Sequence, residues 1–132
     1  NRDIKIALSD PMGSSLYSYV KNNKLESIGN SITEGIGTGR ITKNFEKAII
    51  DDAFQTSDSE ALKIVYDLIE NQNIILGGSS GINIAGAIKL AKKLGKGKNI
   101  VTILCDDGRR YASKIFNKEF LKNKNLPVPR WL

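Results

Sequence analysis

The sequence predicts an α/β fold: a partial, mostly parallel open sheet with flanking helices. Three observations carry this prediction. Short apolar runs at Ile4–Leu8 and Asn99–Leu104 have the look of buried strands. Between them, Ala61, Leu62, Val65, Leu68 and Ile69 recur at helical spacing. The changes of period fall at glycines, prolines and capping residues, where strands and helices exchange. Alternating strands and helices argue a sheet covered by helices. Only three or four strands are legible, few for a doubly covered sheet, so the 132 residues read as part of a domain.

Taken in order, Ile4–Leu8 is a strand that Ser9-Asp10-Pro11-Met12-Gly13 breaks with turn chemistry. Leu16, Tyr17 and Val20 put a short helix within 14–22. From Glu26 to Lys43 the text is irregular and glycine-rich, a long loop of the kind that carries function. Asn44–Ile50 holds a helical turn or two, and Asp51–Thr56 is extended. Ser57-Asp58-Ser59-Glu60 is a capping box, opening a helix that ends near Asn71–Asn73. The short apolar Ile74-Ile75-Leu76 runs into Gly77-Gly78-Ser79-Ser80-Gly81, and a second helix continues to Ala91 or Lys93, with Gly95 as its C-cap. Asn99–Leu104 is the clearest strand; Arg109–Asn117 is helical and the Leu126–Leu132 tail extended.

Composition narrows the chemistry. With 40% hydrophobic and 26% charged residues, the chain is that of an ordinary globular protein. No apolar run approaches the roughly 18–20 residues that span a bilayer, so no membrane partner is expected. The single Cys105 cannot form an internal disulfide, which points to a reducing compartment. There is no histidine, so His-based general bases, Ser-His-Asp and Cys-His sites and the usual zinc sites are excluded within these residues. The net charge of +6 raises nucleic acid as a partner. Lysine dominates, however, and no aromatic residue interleaves with Lys89, Lys92, Lys93 and Lys96, whose spacing is that of a solvated helix face. No nucleic-acid partner is expected.

Three segments could carry chemistry. Gly77–Gly81 would let a backbone approach a ligand while the next helix aims unpaired N–H groups and its positive end at it. It would equally serve as a tight connection with Ser79 or Ser80 as N-cap. Its spacing is neither a dinucleotide fingerprint nor a P-loop. The alternating glycines of Thr33-Glu34-Gly35-Ile36-Gly37-Thr38-Gly39-Arg40 suit a loop whose backbone lines a pocket, and equally an ordinary connection. Leu104-Cys105-Asp106-Asp107-Gly108-Arg109-Arg110 lies at the carboxyl end of a strand, where open α/β folds bind ligands.

In the order Glu34-Gly35-Ile36-Gly37, Ser57-Asp58-Ser59-Glu60-Ala61-Leu62, Gly77–Gly81, Thr102–Tyr111 and Leu126–Leu132, these segments resemble the C-terminal half of cysteine synthase. That family, with cystathionine β-synthase as a relative, belongs to the fold-type II enzymes dependent on pyridoxal phosphate. The resemblance covers essentially all of residues 1–132 and implies the C-terminal part of the large domain. It implies that Ser79, with Ser80 as fallback, hydrogen-bonds the pyridine nitrogen of the cofactor, with Gly78 beside it. A neutral hydroxyl leaves that nitrogen unprotonated and the ring a weaker electron sink, as β-replacement requires. Gly35, Ile36 and Gly37 resemble the segment lining the substrate pocket, and Asp106 falls in a turn near the pyridine ring, with Cys105 where the family often has proline.

The family's Schiff-base lysine, its substrate-carboxylate loop and its Gly-Thr-Gly-Gly-Thr phosphate cradle lie upstream of the region resembled. No catalytic residue and no metal ligand is therefore expected within these residues, and this polypeptide alone is expected to be inactive and to hold pyridoxal phosphate weakly. The resemblance further implies a small amino-acid substrate, O-acetylserine with sulfide, and a cytoplasmic homodimer. Two other classes stay open: cystathionine β-synthase-like chemistry, and a non-enzymatic anion- or nucleotide-binding module built on Gly77–Gly81.

Overall fold

The computed structural model describes residues 3–132. Its elements run β1 (Ala7–Pro11), α1 (Leu16–Asn22), α2 (Lys43–Glu46), β2 (Asp52–Thr56), α3 (Asp58–Gln72) and α4 (Gly78–Leu94). A 3₁₀ turn (Gly108–Tyr111), α5 (Ala112–Ile115) and α6 (Lys118–Asn123) complete the order. The architecture is α/β, with β1 and β2 paired in parallel from Ala7 opposite Asp52 to Pro11 opposite Thr56. Helices flank this small sheet, α4 and α1 lying against both strands.

Two strand expectations are corrected. The first strand is not Ile4–Leu8 but Ala7–Pro11: Ile4 and Ile6 stay exposed outside it, and the strand runs on through Ser9-Asp10-Pro11. Its polar side chains have partners that let them stay inside: the Ser9 hydroxyl donates to the Ile82 carbonyl at 2.7 Å, and Asp10 accepts the Tyr17 amide at 2.8 Å. Pro11 ends the strand, where its missing N–H costs nothing. The second correction is larger. Asn99–Leu104 forms no strand, because a strand requires a neighbouring ladder and none lies beside it among the described residues. Val101, Ile103 and Leu104 are 91%, 66% and 53% exposed. The Ile74–Leu76 segment contributes one antiparallel bridge, Leu76 to Asp107.

Helix α3 begins as its capping box dictates. The Ser57 hydroxyl accepts the Glu60 amide at 3.3 Å, and the Glu60 carboxylate accepts the Ser57 amide at 2.9 Å. It ends on Asn73 in the left-handed region, φ 56°. Its inner face supplies Leu62, Val65 and Tyr66 to a core closed by Ile115 and Leu121. Trp131 from the tail stands edge-on to Tyr66, ring centroids 5.8 Å apart. Against α3 lies α4, in such close contact that a Cβ on Gly81 would fall 2.5 Å from the Ala61 carbonyl oxygen. Only a residue without a side chain fits this crossing.

The lysines of α4 are not simply a solvated face. Lys89 pairs with Glu60 at 2.8 Å and donates to the Gln55 carbonyl at 2.7 Å. Lys93 meets Asp52 at 2.6 Å, and Lys21 of α1 pairs with the same carboxylate. Lys21 first, then Lys93, hold Asp52 well below the usual carboxylate range. Among the described residues no helix is long and apolar enough to cross a membrane.

Candidate functional site

The site is built where the N-terminus of α4 meets two loops. Gly77 is the N-cap, so α4 starts at Gly78 and the serines occupy its first turn instead of capping it. This corrects the expectation of Ser79 or Ser80 as N-cap. Gly77 donates its amide to the Asp106 carbonyl at 2.9 Å, and Gly108 donates to the Ile75 carbonyl at 3.4 Å. The Cys105–Gly108 segment is thereby stitched along the turn.

The two serines separate by partner. Ser80 is fully buried, and its hydroxyl accepts the Cys105 amide at 2.8 Å. Ser79 is 7% exposed, and its hydroxyl has no hydrogen-bond partner in the chain. Asp106 is committed elsewhere: the Tyr111 hydroxyl donates to it at 2.6 Å and Arg110 lies 3.6 Å away. That hydrogen bond pushes the Tyr111 hydroxyl above its ordinary pKa. Its neighbour Asp107 is drawn down to about 2 by hydrogen bonds from the Arg109 side chain and then its amide.

The glycine loop approaches from the other side. Gly37, at φ 80°, abuts the end of β1, where a Cβ would lie 2.7 Å from the Pro11 ring. The Ser14 hydroxyl holds the loop by accepting the Thr38 amide at 3.0 Å. Ile36 and Gly37, with Ser14, Asn30, Ser31 and Thr33, line a cavity of about 300 Å³. Thr33 also borders a smaller cleft shared with Glu34, Gly78, Tyr111 and Lys114. A Cβ on Gly78 would sit 2.7 Å from the Thr33 methyl, so the loop and α4 touch there.

Thus the fold brings the three predicted segments together, but not into one cavity. Ile36 and Gly37 line the larger and Gly78 the smaller, while Gly35, Ser79, Ser80 and Asp106 line neither. Sequence reasoning missed the Glu34–Lys114 ion pair across the smaller cleft and the Asp58–Ser31 contact behind it. Partners this far apart in the chain leave no periodic signal. Among the described residues no cluster of three or more candidate ligands is arranged for a metal.

Residues 1–106 match the family described as pyridoxal-phosphate dependent enzyme. The chain belongs to that family. Within it, the chain is 41% identical to cysteine synthase of Dictyostelium discoideum over 97% of its own length and 36% of that protein. Cysteine synthase 1 of Neurospora crassa is 42% identical, over 93% of this chain and 34% of its own length. Among solved structures, an O-acetylserine dependent cystathionine beta-synthase from Helicobacter pylori superposes with a TM-score of 0.73 at 31% identity. That superposition covers 86% of this chain and 35% of the other. The chain therefore spans about a third of the length of these relatives. The cysteine synthase and cystathionine β-synthase resemblance is thus shown, and with it the α/β fold of a pyridoxal-phosphate dependent enzyme.

The residues present fit one end of that cofactor. Ser79, 7% exposed as a residue, offers a hydroxyl with no partner in the chain, in the first turn of a 17-residue helix whose N-terminus carries partial positive charge. A hydroxyl there can donate to a ring nitrogen. Of the lysines, Lys114 borders the cleft beside Gly78, and it is already paired with Glu34.

Proposed function

We propose that this chain is the C-terminal part of a cysteine synthase-type enzyme. The complete enzyme replaces the acetate of O-acetylserine with sulfide, giving cysteine. The observation that carries the reading is the identity of about 40% to cysteine synthases, in a chain that places Ser79, 7% exposed and with no hydroxyl partner in the chain, at the start of α4.

When bound, pyridoxal phosphate supplies the electron-withdrawing ring that lets the β-substituent leave. Binding and positioning fall to residues of this chain. Ser79 would donate a hydrogen bond to the pyridine nitrogen while keeping its own proton, so that nitrogen would stay unprotonated. Ser80, through the Cys105 amide, fastens the turn that follows and so fixes the first turn of α4. The Gly35-Ile36-Gly37 backbone walls the substrate side, with Ile36 and Gly37 facing the larger cavity. Asp106 acts on the turn through Tyr111. The Schiff-base lysine and the phosphate cradle are assigned to the portion of the family that this chain does not span. The polypeptide alone is accordingly inactive, and the complete enzyme is a cytoplasmic homodimer with no nucleic-acid or membrane partner.

A second reading has support of its own. Mouse cystathionine beta-synthase is 33% identical over 92% of this chain, and the solved Helicobacter protein also carries that name. Homocysteine would then replace sulfide. The higher identity to cysteine synthases favours sulfide.

The test is direct. Given O-acetylserine, sulfide and pyridoxal phosphate, the purified chain is expected to form no cysteine, and measurable turnover would refute its assignment as an inactive part. With millimolar pyridoxine 5′-phosphate as probe, the amide resonances of Gly78 and Ser79 are expected to shift, and Ser79→Ala to abolish the shift. No response at those amides in the unaltered chain removes the cofactor assignment.

A further inference from the structure

We infer that Asp58 is a positioning residue for the glycine loop, holding residues 31–37 against the first turn of α4. Asp58 lies at the start of α3, outside both cavities, and nothing in its capping role requires it to reach another segment. The capping box is completed by Ser57 and Glu60 without it. Yet Asp58 is 9% exposed, and both of its carboxylate oxygens are used on the loop. The Ser31 hydroxyl donates to one, and the Ile32 amide donates to the other at 2.8 Å.

The contact continues toward the site. Ser31 has one hydroxyl proton and directs it at Asp58 in a hydrogen bond, so the paired hydroxyls of Ser31 and Thr33 leave Thr33 as the donor. The Thr33 amide also donates to the Ser31 oxygen, at 3.1 Å. Both groups of Thr33 are thereby turned onto Ser31, and the Thr33 methyl is pressed against Gly78. A short relay results: Asp58 fixes Ser31, Ser31 fixes Thr33, and Thr33 sets the spacing between the loop and α4. Ser31 and Thr33 also line the larger cavity, so the same relay shapes its wall. Two hydrogen bonds to a buried carboxylate are stronger than neutral ones and cost more to break.

The consequence for β-replacement rests on the proposed function; the positional claim is separable from it. Amide hydrogen exchange, resolved by residue, tests it on the purified chain. In Asp58→Asn and in Ser31→Ala, exchange at the hydrogen-bonded loop amides of Ile32, Thr33 and Thr38 and at Gly81, the first α4 amide with a partner, is expected to accelerate about tenfold or more. Exchange in the interior of α3, Ala61–Ile69, stays at its original rate. Ser31→Thr, which keeps the hydroxyl, restores slow exchange. Acceleration spread evenly over α3 and the loop would reduce Asp58 to a general stabiliser and overturn the inference, as would no acceleration at all. Pyridoxine 5′-phosphate added to the same samples separates the two claims. Loop exchange that responds while Gly78 and Ser79 ignore the probe upholds the relay and sinks the cofactor reading.

Discussion

At the scale of single residues, the hydroxyls divide into those with partners in the chain and those without, and the difference assigns roles. Tyr66 has one: its hydroxyl donates to the Ile115 carbonyl at 2.7 Å, and burial pushes its pKa up to about 12. In the unfolded chain it ionises near its ordinary value of 10.0. Between those values the native state holds a proton that the unfolded state has lost. Stability is therefore full below about pH 10 and falls as pH rises toward 12. Urea unfolding across that window is expected to show this loss, and Tyr66→Phe to remove it while costing about 1 kcal/mol at neutral pH. Ser79 is the opposite case. Its residue type and place were legible in the sequence, because serine beside glycine at a helix start is a recognisable pattern. Its separation from Ser80 was not, since that depends on the Cys105 amide arriving from elsewhere in the chain.

Among the elements, what was legible is what is local. The box at Ser57–Glu60 specifies the start of α3 from four adjacent residues, and Gly95 ends α4 at φ 74° as expected. What escaped is pairing. Asn99–Leu104 has the composition of a strand, but composition cannot supply the neighbour that makes one. Ser9 and Asp10 read as turn residues because their partners, the Ile82 carbonyl and the Tyr17 amide, lie in other elements. Asp52 is the clearest joint between elements, with β2 holding α1 through Lys21 and α4 through Lys93. Its carboxyl is held low in the folded state, so its contribution is present above the ordinary value of 3.8 and disappears as acid protonates it. Asp52→Asn is expected to lower stability by about 1 kcal/mol at pH 7 and to flatten the acid limb of the unfolding curve below about pH 4. A variant whose acid limb matches the parent would show that the joint adds nothing.

For the whole molecule, the two-strand sheet and the bare Asn99–Leu104 segment stand in tension. Apolar side chains at Val101, Ile103 and Leu104 with unladdered backbone beside them invite a second chain. Light scattering is expected to show association that grows with protein concentration, and Val101→Lys with Ile103→Lys to suppress it without lowering the unfolding midpoint. Equal association by the double variant would place the contact elsewhere. The parallel pairing of β1 with β2 has a consequence in time. At its entry, the Ile6 amide meets Asp51 from 45 residues away, so joining the strands closes a long, glycine-rich excursion before any ladder bond forms. Helices α3 and α4, joined by residues 73–77, need no such closure. The order of assembly follows from that disparity: the helical hairpin and β2 meet early, and β1 is the last to arrive and the first to leave.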